Sequence, residues 1–324
     1  MDNSALLMIL ADGEFHSGEE VGARLGISRA AVWKQSHKLE ALELAIESVK
    51  GRGYRIAGGL DLLSAESIRA LLPSSALSSM GEFDVFSLVD STNDAAAEAI
   101  RKGRGGNYCC MAEQQSAGRG RRGRDWRSPF GRNIYLSMVW EFQSGAAALE
   151  GLSLSVGLAV VRALAKLGVT SVGLKWPNDV LHEGKKLAGI LLEMQGDPAG
   201  LCQVIVGVGL NVDLASCDTS AITQPWTDLR TIAGRMDRNV LAAALIAELY
   251  AVQAEFTRDG FEYLRQEWCR YDVFAGKQVR VQLGERYIEG RAQGVDAGGG
   301  LVLETDEGEK IFRGGEVSLR GAGS

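Results

Sequence analysis

The spacing of apolar residues changes character twice along this 324-residue chain, and that change limits the fold more than any single motif. The first stretch is helical: Ala5, Leu6, Ile9 and Leu10 share one helix face. In HSGEEVGARLGISRAAVWKQSHKLEALEL, Ser17 followed by Glu20 makes a capping box for a short helix over Gly18–Leu25. Gly26 ends it. Ser28 caps a second helix running to about Leu42, with Val32, Leu39 and Leu42 on its apolar stripe. Ala45–Val49 then alternates like a strand, Gly51-Arg52-Gly53 turns, and Tyr54–Ile56 returns. Helix, glycine turn, longer helix and hairpin predict a winged helix-turn-helix unit.

After the glycines at 58–59 the pattern becomes mixed. Strand-like segments (Phe83–Val89, Asn133–Trp140, Gly173–Trp176, Leu187–Glu193, Gln203–Val212) are interspersed with helical ones (Thr92–Arg101, Gly151–Gly168, Asn239–Arg258). This predicts an α/β or α+β domain around a mostly buried sheet. From Phe274 the pattern changes again. Lys277–Leu283, Glu285–Val295, Leu301–Thr305, Lys310–Arg313 and Val317–Arg320 read as short strands punctuated by glycines and acids, which predicts a small SH3-like β-barrel. A multidomain α+β chain follows, divided as 1–60, 61–273 and 274–324. Its length suits this, since a domain takes roughly 100–200 residues.

Charge marks out the first unit. Lys+Arg number 35 against Asp+Glu 41, so a protein that coats nucleic acid over its whole surface is excluded. A local patch is not. Between Gly22 and Ile56 lie seven bases and three acids. Arg29, Lys34 and Lys38 fall on the second helix behind Ser28, and Arg52 on the wing tip. These five are the candidate DNA contacts. The bland alternative is a small helical domain with solvated lysines. Trp33, on the same helix, is either a packing residue or a base-facing one.

The five cysteines form no CxxC pair, which argues against a metal cluster or a disulfide framework and for free thiols in a reducing compartment. Ala5–Ala11 is too short to span a bilayer, and Asp2 stands where a signal peptide would carry positive charge. The expectation is a cytoplasmic protein with no membrane partner.

Four stretches of the middle unit carry chemistry. Residues 118–132, GRGRRGRDWRSPFGR, hold six arginines and four glycines. Glycine lets backbone N–H groups approach an anion, and arginine supplies planar forks for phosphate or carboxylate. The loop lies beside a strand and next to Trp126 and Phe130, as a lid over a pocket would; a solvated turn is the alternative. In Lys175-Trp176-Pro177-Asn178-Asp179 a strand ends at proline, so an amide and a carboxylate can project toward a nucleotide or its Mg²⁺, although Pro-Asn-Asp is also an ordinary turn. Ala188 and Gly189, after Lys185 and Lys186, permit close approach of a ligand to the strand backbone. The glycines of GVGLNV (207–212) do the same, but a lone GxG without a βαβ context does not make a dinucleotide fold.

Taken with DSTN at 90–93, these stretches resemble the biotin protein ligase family, of the bifunctional ligase and biotin-operon-repressor type. DSTN, GRGRRGR (118–124) with Trp126, SPFGRNIYLS (128–137), KWPND (175–179), KLAGIL (186–191), GVGLNV and GGEVSLR (314–320) carry the likeness in order along the whole chain. The resemblance implies a class II synthetase-like mixed sheet in the middle unit. It implies activation of biotin with ATP and Mg²⁺ to biotinyl-5′-AMP, transfer to a lysine of the biotin carboxyl carrier domain of acetyl-CoA carboxylase, and an adenylate-dependent homodimer bound to operator DNA. It gives catalytic roles to Arg121 and Lys186. Ser91, Thr92, Asn93, Gln115, Gly118, Arg119, Gly120, Gly189 and Gly207 line the biotin slot with those two. Arg119, Arg121, Arg122, Arg124, Trp126, Lys175, Asn178, Asp179, Asn211 and Arg320 meet the nucleotide or adenylate, and Asp179 is the candidate Mg²⁺ contact. Asp125 departs from the neutral or basic residue usual there. A lipoate ligase and a biotin-sensing transcription factor without catalysis are the rival readings. The first does not carry both the arginine loop and the winged helix, and the second does not need a full set of phosphate-handling residues.

Overall fold

A computed structural model describes residues 4–39, 42–44, 46–142, 149–196, 202–283, 286–313 and 317–321. The N-terminal unit holds helices α1 (Ser4–Leu10), α2 (Gly18–Leu25) and α3 (Arg29–Leu39) and the antiparallel hairpin β1 (Ile46–Val49) and β2 (Gly53–Ile56). Ser17 caps α2 through Glu20 N, but the capping box is half made. The Glu20 carboxylate turns to His16 instead, at 3.1 Å. Helix α3 is described as far as Leu39, and its predicted continuation to about Leu42 crosses residues outside the described ones. Leu6, Leu10, Val21, Val32, Leu39, Tyr54, Ile56 and Leu60 form the unit's own core, to which Phe130 is added from the middle unit.

The middle unit contains α4 (Ala65–Leu71), α5 (Ser74–Ser79), β3 (Phe83–Phe86), α6 (Thr92–Arg101), β4 (Cys109–Ala112), β5 (Ile134–Phe142), α7 (Leu152–Lys166), β6 (Gly173–Lys175), β7 (Asp179–His182), β8 (Lys185–Gly196), β9 (Cys202–Leu210), α8 (Leu229–Ala233) and α9 (Arg238–Tyr271). Its seven-stranded sheet runs β3-β4-β5-β9-β8-β7-β6, parallel only between β3 and β4. The predicted strand Phe83–Val89 stops at Phe86 and is continued by a single bridge, Val89 to Gln115. Asn239–Arg258 grows into α9, interrupted at Gly260, whose φ of 69° no helix contains. This helix is long and apolar enough to cross a bilayer, but its apolar residues pack on α7 and the sheet. Helix α7 is apolar nearly all round because it lies between the sheet and α9.

The third unit is a five-stranded antiparallel sheet of β10 (Gln278–Leu283), β11 (Arg286–Val295), β12 (Leu301–Thr305), β13 (Gly308–Phe312) and β14 (Val317–Gly321), in which the first and last strands pair. Val279, Val281, Leu301, Leu303 and Phe312 join the main core rather than forming a separate one. Trp176 fastens the two units, its indole N–H donating to Gly299 O at 2.9 Å.

One consequence of strand alternation positions everything that follows. On β9 the even residues Val204, Val206, Val208 and Leu210 enter the core against the helices. The odd residues Gly207 and Gly209 therefore face the other way. Register places Ser137 beside Gly207 and Gly189 beside Gly209. The outer face of the sheet thus carries a floor of glycines at 189, 207 and 209.

Candidate active site

The floor is bare of side chains because something presses on it. A Cβ on Gly207 would lie 2.4 Å from Asn93 Oδ1, one on Gly209 2.5 Å from the Trp126 ring, and one on Gly189 3.0 Å from that same ring. Gly209, the second glycine of GVGLNV, lies on the same face as Gly207 through its i, i+2 spacing.

Uncharged groups gather at one end. Ser91 caps α6 through Asn93 N. Thr92 donates to Gln115 Oε1 from its backbone N–H at 2.9 Å and from its hydroxyl at 3.2 Å. Gln115 Nε2 donates to Ser128 Oγ, which donates to Trp126 O. The buried Ser137 hydroxyl donates to Asn93 Oδ1 at 2.6 Å and lies 2.8 Å from the Thr92 hydroxyl. Asn93 Nδ2 donates to Glu193 Oε2. Ser128 and Ser137 bound the motif SPFGRNIYLS without a role read from it; Gln115 holds Ser128, and sheet register brings Ser137 and Glu193 here.

Charge gathers at the other end. Lys186 Nζ lies 2.8 Å from Asp179 Oδ1. The contact is an ion pair by distance and not an aligned hydrogen bond, so Oδ1 is buried with no donor aimed at it. The ammonium also sits 5.2 Å from the Trp126 ring centre. Asn178 accepts from Arg121 at 3.2 Å and donates to Ile190 O at 2.8 Å, which fixes its amide. Asn178 and Asp179 do not both project from a turn as expected, because Asp179 opens β7 and pairs with Lys175 and Gly189. Asn211 is buried and donates to Thr227 O, beside Lys186 O. Arg320 lies on β14, and its side chain is outside the described residues.

The arginine loop, between β4 and β5, is a hairpin. Arg119 bridges Asp125, Trp126 N donates to Gly118 O, and Arg122 and Gly123 turn the tip with φ of 61° and 68°. Gly118 is required by contact, since a Cβ there would lie 2.6 Å from Ser128 Oγ. The arginines do not act alike. Arg121 points inward and is half-buried. Burial and then the neighbouring charge of Arg122 lower its pKa, and Asp179 counteracts. Arg122 and Arg124 stand exposed at the tip. Arg119 turns away to Asp94 and Glu193. Asp125 is exposed and closes the hairpin through its backbone.

Asp179 supplies one buried carboxylate oxygen to this end, and the described residues contain no cluster of three or more potential metal ligands. A single carboxylate of this kind is the donor set Mg²⁺ takes where substrate phosphates supply the rest.

On the N-terminal unit, Ser28 caps α3 through Ala31 N. Arg29, Lys34 and Lys38 are exposed, with no ion pair among the described residues. Arg52 is exposed on the wing over the Phe15 ring. Trp33 is 53% exposed and packs against the His37 ring, with ring centres 4.3 Å apart and planes tilted by 44°. All five cysteines are free.

Comparison with known proteins gives these sites a context. Residues 85–211 match the biotin/lipoate A/B protein ligase family, residues 274–320 the biotin protein ligase C-terminal domain, and residues 3–55 an HTH domain. The chain is 41% identical to the bifunctional ligase/repressor BirA of Salmonella typhimurium and 40% identical to that of Escherichia coli, each over 98% of this chain and 97% of the relative. Among solved structures it resembles a biotin protein ligase from Aquifex aeolicus in complex with biotin and ATP, at 30% identity and a TM-score of 0.63, over 74% of this chain and 99% of that one.

Proposed function

The chain belongs to the biotin protein ligase family, in its bifunctional ligase/repressor branch, and we propose that it activates biotin with ATP, biotinylates a carrier lysine and represses transcription in response to the adenylate. In the first step a biotin carboxylate oxygen attacks the α-phosphorus and pyrophosphate leaves. In the second, a lysine amine of the biotin carboxyl carrier domain attacks the acyl carbon, AMP leaves, and the amine loses its proton. The acceptor supplies the nucleophile, so the enzyme's task is to orient anions and neutralise them.

One observation carries this reading. A glycine floor covered by Asn93 and Trp126 has the hydrogen-bonding groups of Thr92, Asn93 and Gln115 at one end and Lys186, Arg121, Asn178 and Asp179 at the other. A ureido ring needs the former and a mixed anhydride the latter. Thr92, Gln115 and Asn93 hold the ring, with Ser91 capping the helix beneath it. Lys186 faces the carboxyl group in both steps. Arg121, already partly desolvated, meets the α-phosphate, and the polar or charged groups of Lys175, Asn211, Arg122, Arg124 and Arg320 serve the rest of the nucleotide. Trp126 covers the adenylate. Mg²⁺ on Asp179 would screen the phosphate charge.

The test is biotin-dependent pyrophosphate release from ATP, followed by transfer of label to a carrier domain, with lipoate as the competing acid. Arg121→Gly is expected to release the adenylate and label lysines indiscriminately. Retention as tight as wild type would refute the trapping role.

For repression, the two recognition helices of a homodimer would meet a two-fold operator, with Arg29, Lys34, Lys38 and Arg52 on its backbone and α3 held in place by the Ser28 cap. Operator affinity should rise with biotin and ATP present, and equal affinity in both conditions would remove the coupling. On this reading residues 1–60 bind DNA, 61–273 carry the chemistry and 274–324 complete the nucleotide end, in a cytoplasmic protein.

A further inference from the structure

Arg119 has its partners in the protein itself. Its two terminal nitrogens fork onto the Asp94 carboxylate at 2.5 Å each, and Glu193 lies 3.4 Å from one of them. The hydrogen bond from Arg119 holds the Asp94 carboxyl below the usual carboxylate range. Glu193 is itself held, because Asn93 Nδ2 donates to it at 2.7 Å and Ser137 fixes Asn93 from behind. Two carboxylates around one guanidinium leave no surplus positive charge at this end of the slot. At the other end Lys186 and Arg121 share Asp179. The slot is therefore electrically polar, and a phosphate belongs away from Arg119.

We infer that Asp94, supported by Glu193, makes Arg119 a latch on the hairpin and not a phosphate ligand. Asp94 stands in the first turn of α6. Arg119 pairs with Asp125 across the hairpin stem, and Trp126, the cover over Gly189 and Gly209, follows directly. Fastening Arg119 thus holds the cover down. Both partners are partly exposed, with side chains 33% and 50% accessible, so the pair adds little to folding. A weak contact of this kind can open for biotin and close on the adenylate. Asp94 is a positioning residue for retention of the intermediate.

This rests on the ligase reading, and the experiment separates the two. Full-length protein forms labelled adenylate from biotin and ATP. The first-turnover pyrophosphate burst and the escape of adenylate into a hydroxylamine trap are then measured. Asp94→Asn should speed escape about fivefold and leave the burst rate within about twofold of wild type. Asp94→Glu should recover part of the retention, and the swap Asp94→Arg with Arg119→Asp should retain better than either single change. Unchanged escape from Asp94→Asn, or a slowed burst without faster escape, overturns the latch. A swap that leaks like the single variants also overturns it. No burst from the wild type overturns the ligase reading instead.

Discussion

Two regions of this acidic chain are rich in basic side chains, and they use them in opposite ways. In the hairpin, Arg119 is matched to Asp94 and Glu193, Arg121 is half-buried against Asn178, and Arg127, at the base, is matched to Glu43 and donates to Asp218 O. On α3, Arg29, Lys34 and Lys38 are exposed with no ion pair among the described residues. A partnered guanidinium fixes geometry, whereas an exposed one attracts a polyanion from a distance. The same residue types therefore give a shaped small-molecule site in one place and a charged face in the other.

That contrast can be broken by substitution. The largest effect is expected at the charged end of the slot. Lys186→Met should slow biotin-dependent pyrophosphate formation by about 10²–10³-fold, because a preorganised charge is lost from a site of low dielectric; a drop of less than about tenfold would place the main stabilising charge elsewhere. Next comes the most buried matched pair. Arg238 and Glu113 are 2.7 Å apart with side chains 3% and 6% exposed, and Arg238 also donates to Asn133 O and Asp61 O. Arg238→Met leaves Glu113 as an uncompensated buried charge and should cost about 3 kcal/mol in denaturant unfolding. Exposed bases behave differently. Lys34→Ala should weaken binding to all duplexes alike and lower the salt slope of log K by about 1, without moving the melting temperature. A sequence-selective loss would mean that Lys34 reads bases.

The smallest effects lie in the ion pairs that residues of the N-terminal unit make. Glu43→Gln removes a partly exposed pair and should cost about 1 kcal/mol or less. His16 sits between Asp12 at 2.9 Å and Glu20 at 3.1 Å. Burial pulls its pKa down, but the hydrogen bonds and charges of Glu20 and Asp12 outweigh burial and raise it. Its stabilising contribution is then complete below the unfolded histidine value of about 6.5 and is lost as pH rises through the raised folded value. Melting of the winged helix should fall slightly across that window, and His16→Gln should flatten the profile.

Much of this was legible in the sequence, for definable reasons. Helix α2 and its cap, helix α6, and β12 fall where spacing and turn residues put them, because their signals are local. Strand β4 escaped notice, since CCMA is buried on both faces and has no alternation to betray it. Strand β7 begins at Asp179, the last residue of a motif read as a turn. The slot's uncharged end was half visible: DSTN and Gln115 are short stretches, but Ser137 and Glu193 join them only through the register of β5, β9 and β8. The matching of Arg119 with Asp94 crosses 25 residues. Composition marked the loop as basic, yet which guanidinium faces the slot depends on carboxylates that no local pattern ties to it.

Phe130 has a consequence for anyone wishing to work with a shorter version of this protein. It belongs to the middle unit by sequence, yet it is 3% exposed within the core of the winged helix, with Leu60 against Gly131 beside it. Cutting the chain at the linker would bare an aromatic ring only four positions after Trp126, and would leave Arg127 without Glu43. The DNA-reading module is thus also a brace for the catalytic loop, so a trimmed enzyme would begin life with a loosened lid.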